Sequence, residues 1–111
     1  MPNDLSTSDI LTVLAERRRR LLLRLLRDAR TPLPVTELAE RIGEYESGGP
    51  ESSDPLSIRL RLRHAHLPKL EAAAVVEFDE GKGTVRPARN FDVLVRFLEK
   101  VEAGERSRSD R

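Results

Sequence analysis

The sequence predicts a mainly α fold with one small β-hairpin, in the order α-α-β-α-α-β-β-α. Three observations carry that prediction. Leucine and arginine, both strong helix formers, dominate two glycine-free stretches, 16–29 and 56–74. Apolar residues recur in both at helical spacing. By contrast, residues 75–78 and 84–86 are rich in β-branched side chains and flank a connection, 79–83, that carries two glycines, which is a hairpin signal.

Each element has a local reason. Residues 6–14 form a short helix, because Ser6 or Ser8 can cap it, Asp9 suits its positive end, and Ile10, Val13 and Leu14 share a face. In the second helix, 16–29, Leu21, Leu22, Leu25, Leu26 and Ala29 lie on one broad face with Ala15, while Arg17, Arg20, Arg24 and Arg27 lie opposite, facing water. Arg18 and Arg19 sit at the two edges of the apolar face, with packed stems and guanidinium groups reaching water or a partner. Two prolines in 31–35 stop the helix and force an extended piece.

Thr36 then caps a third helix, with acids in its first turn, an apolar face of Leu38, Ala39, Ile42 and Tyr45, and Gly43 ending or weakening it. Residues 47–55, rich in glycine, proline and serine, read as a loop. The 58–63 segment alternates strictly between aliphatic and arginine, which is a strand pattern. Leucine and arginine nevertheless favour helix, and helical spacing continues through Ala65, Leu67, Leu70 and Ala73, so 56–74 is read as helix with Pro68 at a kink or at the start of a new helical piece. A last helix starts near Asn90, with Phe91, Leu94, Leu98 and Val101 at three-four spacing. One domain is expected over 5–103, with the charged 104–111 as a disordered tail.

Composition narrows the function. With 111 residues and no cysteine, disulfide scaffolds, thiolate zinc sites and cysteine nucleophiles are excluded. The longest apolar run, 21–23, is far below the roughly 20 residues that span a bilayer. The polar 1–10 stretch is no signal peptide, so a cytoplasmic protein is expected. Aromatic residues make up 4% and are too scattered for a base-stacking platform of the RNA-binding kind. No phosphate-binding glycine loop, nucleophile elbow or triad-like set is present, so no enzyme is expected.

The order helix, extended piece, helix, helix, hairpin is that of a winged helix-turn-helix, in which the hairpin is the wing. Two segments make the resemblance concrete. LAERRRRLLLRLL at 14–26 resembles the opening helix of ArsR-type winged-helix repressors, and HLPKLEAAAVV at 66–76 resembles the end of their recognition helix. A closer similarity is to uncharacterised winged-helix domains of halophilic archaea. It rests on the arginine-rich opening helix, RHAHLPKL at 63–70, VVEFD at 75–79 and GTV at 83–85, and covers roughly residues 5–100.

Three departures stand out. Ala74 occupies the place where the repressors usually have glycine, which disfavours a left-handed turn there. The acidic 43–55 connection is much longer than a simple helix-turn-helix turn. The expected wing tip, Asp79, Glu80, Gly81 and Lys82, is net acidic, which weakens any phosphate contact from the wing.

The winged-helix reading makes 56–66 the recognition helix. Ser57, Arg59, Arg61, Arg63, His64 and Lys69 are its expected DNA-binding residues, joined by Arg17 and Arg20 of the second helix. On an α-helix Arg59 and Arg63 share a face and Arg61 points elsewhere. The competing reading of those arginines is pairing with Glu44, Glu46, Glu51 and Asp54. His64 and His66 lie about 200° apart on a helix and cannot share an ion, so neither metal nor cofactor is expected, even though ArsR-type relatives include metal sensors. His66 is expected to pack or hydrogen-bond beneath the wing.

Net charge is +1 over the whole chain, but it divides into +5 over 16–30, −4 over 43–54 and +4 over 56–70. Near-neutrality is therefore a cancellation between segments, and it leaves duplex DNA open as a partner. The expectation is a homodimeric transcriptional regulator, paired through Phe91, Leu94, Leu98 and Val101, with the acidic loop limiting non-specific binding. The alternative is a winged-helix adaptor for protein partners that does not bind DNA.

Overall fold

A computed structural model describes residues 5–47 and 54–109, and is mainly helical with a small three-stranded antiparallel sheet. Helix α1 (Thr7–Leu14) opens with a reciprocal cap: the Asp9 N–H donates to Ser6 Oγ at 3.0 Å and the Ser6 N–H to Asp9 Oδ2 at 3.1 Å. Helix α2 (Arg17–Ala29) carries the leucine face into the core, where Leu22 and Leu23 are fully buried. It ends on Arg30, whose φ of 60° turns the chain left-handed.

The extended piece after α2 is a strand, β1 (Leu33–Pro34), rather than a simple connector. It pairs with β3 (Thr84–Pro87), which also pairs with β2 (Val76–Asp79), giving the order β1-β3-β2. Val85, opposite both Leu33 and Phe78, is fully buried and anchors the three strands to the core. In the β2–β3 turn, Asp79 accepts the N–H groups of both Lys82 and Gly83, one on Oδ1 and one on its carbonyl.

Helix α3 (Val35–Glu46) starts one residue before the expected Thr36 cap, with Pro34 in the capping position and the Val35 N–H held by Gly83 O at 2.9 Å. It also runs through Gly43 instead of ending there. A side-chain carbon on Gly43 would sit 3.5 Å from Ile58 Cδ1, so the glycine lies where α3 meets the next helix closely. Tyr45, expected on the apolar face, is 63% exposed.

Residues 55–72 are helical throughout, so the aliphatic–arginine alternation does not make a strand. Leucine and arginine keep their helical preference, and Ile58, Leu62, Leu67 and Leu70 are all buried from that one run. The run has three parts: α4 (Pro55–Arg61), a π-helical turn (Leu62–His66) and α5 (Leu67–Ala72). Pro68 has no N–H, and its ring collides with the carbonyl four residues back in a regular helix. Widening the preceding turn, with the Leu67 N–H on Leu62 O five residues earlier, absorbs that conflict while the chain stays helical.

After α5 the chain closes in a Schellman arrangement: the Ala74 N–H donates to Glu71 O and the Val75 N–H to Leu70 O, both at 2.9 Å. Ala74 itself has φ 57°, so the left-handed turn that alanine disfavours is present after all. Tertiary bonds fix it, with Asn90 N–H on Ala74 O and Asn90 Nδ2 on Ala73 O, each 2.9 Å. Helix α6 (Phe91–Ser109) then packs against α1 and α2. It continues through 104–109, where an unstructured tail was expected, because extending an existing helix costs far less than starting one.

α6 corrects a second expectation. Phe91, Leu94 and Leu98 of the expected pairing seam are buried in this chain's own core, with Leu94 and Leu98 fully inaccessible. Only Val101 of that set is on the surface. The exposed apolar row is instead Val93, Phe97 and Val101, on the flank next to the buried stripe. No described helix is long and apolar enough to cross a membrane.

Candidate functional site

The four-arginine run at the start of α2 has four different environments. Arg19 is 6% exposed, and its Nε and Nη2 donate to Val13 O (2.9 Å) and Thr12 O (2.7 Å). Arg20 Nη1 donates to Leu14 O at 2.5 Å. These two arginines therefore bond to carbonyls at the end of α1, Val13 O, Leu14 O and Thr12 O, the last of which also accepts the Ala15 N–H, which is structural work. Arg18 grips Glu46 through two bonds, Nε to Oε2 at 2.7 Å and Nη2 to Oε1 at 2.8 Å. That hydrogen bonding holds the Glu46 carboxyl below its ordinary pKa. Arg17 alone is exposed and, among the described residues, without a carboxylate.

The rest of the expected wet face of α2 is covered. Arg24 pairs with Glu102, and Arg27 with Asp28 and Glu99, so α6 carboxylates meet the arginine row. Arg20, one of the expected DNA contacts, is partly buried and bonded to the end of α1.

A cleft of about 690 Å³ lies between the start of α2 and the α4–α5 run. Ser57, Arg61, Ala65 and Lys69 line one side at four-residue spacing, Arg17, Arg18 and Arg19 another, with Glu16, Glu46 and His66 completing it. Five cations face two carboxylates there, and one of those carboxylates is already held by Arg18. His66 is buried beside Arg19, its Nδ1 3.4 Å from Nη1. Burial, and then the Arg19 charge, push its pKa below the ordinary value, so the ring is neutral at pH 7. Burial likewise lowers the pKa of Arg19, with Glu16 opposing.

The expected contact residues divide into three groups. Arg17, Ser57, Arg61 and Lys69 meet in the cleft. Arg59 lines a shallow groove against α3, with Thr36, Ala39, Glu40, Pro55 and Leu56. Arg63 lies over the Phe78 ring of β2, 5.2 Å from its centre, and ties the π turn to the hairpin. Despite their spacing, Arg59 and Arg63 occupy different surroundings, and it is Arg61 that gathers with other cations. His64 is exposed.

Pairing of this basic run with the acidic connection is not observed among the described residues. Glu46 goes to Arg18, and Asp54 caps α4 by accepting the Ser57 N–H at 2.7 Å, which keeps its carboxyl below the ordinary pKa. Glu51 lies outside the described residues. No ion pair among the described residues involves Arg59, Arg61, Arg63 or Lys69, whereas Arg18, Arg24, Arg27, Arg41 and Arg86 are each paired. No group of three or more described His, Asp or Glu residues is placed to hold a metal ion.

Sequence reasoning named Arg17, Ser57, Arg61 and Lys69 but missed that they share one cleft. The spacing of Ser57, Arg61, Ala65 and Lys69, each four residues from the next, was the available signal. His66, expected to pack or hydrogen-bond beneath the wing, is buried beside Arg19 of α2, and Arg19, expected to reach water or a partner from the edge of the apolar face, turns its guanidinium to the α1 carbonyls. Among family models, that of a domain of unknown function, DUF7344, matches residues 11–86. No curated protein and no solved structure matches the chain.

Proposed function

The chain belongs to the family described as Domain of unknown function (DUF7344), and we propose that it is a winged helix-turn-helix protein that binds duplex DNA as a transcriptional regulator. One observation carries the reading: the α4–α5 run holds four cations with no ion-pair partner among the described residues, while most arginines of its neighbours are neutralised. A cationic surface left uncompensated matches the phosphate lattice of a duplex, and release of counterions from that lattice drives such binding. The element order and the β1-β3-β2 sheet are compatible with a winged helix. Arg17, Arg61 and Lys69 supply phosphate contacts, while Ser57, Arg59 and Arg63 approach base edges.

A salt-titrated binding assay on random and upstream duplexes tests this. Affinity should fall steeply as salt rises, and Arg59→Ala with Arg63→Ala should weaken it while the fold persists. Absent binding at low salt, or binding indifferent to salt, ends the DNA reading.

The adaptor reading has its own support in the exposed row Val93, Phe97 and Val101. The same row, rather than the buried Leu94 and Leu98, is where a homodimer would pair. Sedimentation of the wild type and Phe97→Glu decides the pairing. A concentration-independent monomer removes the dimer, and a dimer dissolved by Phe97→Glu supports it.

A further inference from the structure

The cleft at the start of α2 has features that duplex binding alone does not require. It is concave, of a size suited to a small ligand, and lined by Arg17, Arg18, Arg19, Arg61 and Lys69 against Glu16 and Glu46. Gathering five like charges in one hollow is unfavourable unless something compensates them. Two of the five are compensated: Arg18 by Glu46, and Arg19 by the α1 carbonyls that accept its N–H groups. Arg17, Arg61 and Lys69 are exposed and have no such partner among the described residues.

The first turn of α2 borders the same hollow, and its capping residue, Glu16, makes no side-chain bond to the helix. Opening amide groups and the positive helix end thus add to the side-chain cations. Among the described residues the only ring lining the cleft is the buried imidazole of His66, so the hollow offers charge and hydrogen bonds rather than an exposed surface for stacking a base.

We propose that this cleft is a phosphoryl-anion site in which Arg17, Arg61 and Lys69 clamp the phosphoryl oxygens. The anion has two chemical sources, a free phosphorylated small molecule or one phosphate of a nucleic-acid backbone. Glu16, the remaining carboxylate at the rim, opposes the bound charge. Only the backbone source rests on the duplex reading given above.

The test is titration of the full chain with sodium pyrophosphate at constant ionic strength, followed by backbone amide resonances. Saturable shifts should concentrate at Arg17, Arg18, Ser57, Arg61 and Lys69. Arg61→Ala and Lys69→Ala should each weaken binding about tenfold, as expected for loss of one charge-assisted contact. Both side chains are exposed, so the fold should survive their loss. Glu16→Gln should tighten binding several-fold, a gain that damage to the fold cannot imitate.

Non-saturating shifts, shifts spread over every basic surface, or unchanged affinity in these three variants would overturn the proposal. A duplex then identifies the source. Displacement of pyrophosphate by duplex assigns the cleft to a backbone phosphate, and simultaneous binding of both assigns it to a free ligand. A chain that binds pyrophosphate in the cleft and no duplex loses the DNA reading and keeps this one.

Discussion

Ala74 and Gly83 provide a matched pair of backbone tests. Ala74 closes α5 at φ 57° and Gly83 ends the β2–β3 turn at φ 67°, so both positions are left-handed and only one has the residue suited to it. Holding an L-residue with a side chain in that region costs about 1–2 kcal/mol. Glycine relieves this but makes the unfolded chain freer, which returns about 0.4–1 kcal/mol of the advantage. Ala74→Gly should therefore stabilise the domain by roughly 0.5–1 kcal/mol, or about 2–8 °C in Tm for a domain of this size.

Gly83→Ala should show the reverse change, of similar size. A carbon added at Gly83 meets no atom within 4 Å, so no clash contributes and the effect is backbone strain alone. Denaturant unfolding measures both, with the midpoint moving and the m-value constant. Reduced stability in Ala74→Gly, or an unchanged midpoint in Gly83→Ala, would refute the assignment of strain to these φ values.

Other outcomes follow from the buried polar groups and the two faces of α6. Arg19→Met keeps the packed stem but strips Val13 O of the guanidinium donor and leaves Thr12 O with the Ala15 N–H alone, and should lower unfolding free energy by about 1–3 kcal/mol; a change near zero would mean that water replaces the guanidinium. His66 has a depressed pKa in the fold, so below the unfolded value of 6.5 the unfolded chain takes up a proton that the native chain does not. Its contribution to stability is thus complete above pH 6.5 and shrinks as pH falls toward the folded pKa, at no more than about 1.4 kcal/mol per pH unit. Stability measured from pH 8 to 5 should show this slope in the wild type and lose it in His66→Gln. Leu94→Glu with Leu98→Glu, which buries two charges, should unfold the chain, whereas circular dichroism of Phe97→Glu should remain native.

Local chemistry made much of this legible in advance. The Ser6 and Asp9 cap, the leucine face of α2, the hairpin about 79–83 and the helical nature of 56–74 all depend on residues close in sequence, whose propensities and spacing act before any tertiary contact forms. The same is true of the +4 charge on 56–70, since no neighbour can alter the identity of those side chains. The strip Ser57, Arg61, Lys69 follows from helical period, and only its partner wall was missing.

What the tertiary structure decided is which charges remain available and which apolar stripe is covered. Arg17, Arg20, Arg24 and Arg27 of α2 looked alike as a solvated face and Arg19 stood at its edge, but α1 ends where Arg19 and Arg20 can reach its carbonyls, and α6 brings Glu99 and Glu102 against Arg24 and Arg27. Phe91, Leu94 and Leu98 had the spacing of a pairing seam, yet the same spacing serves a helix folded onto its own core, and contact with α1 and α2 selects the latter. Ala74 takes a left-handed turn against its own preference because Asn90 and the end of α5 bond to that backbone. In each case the deciding partner is distant in sequence: composition and period determine what a segment can offer, and the docking of distant helices determines what is left for a ligand.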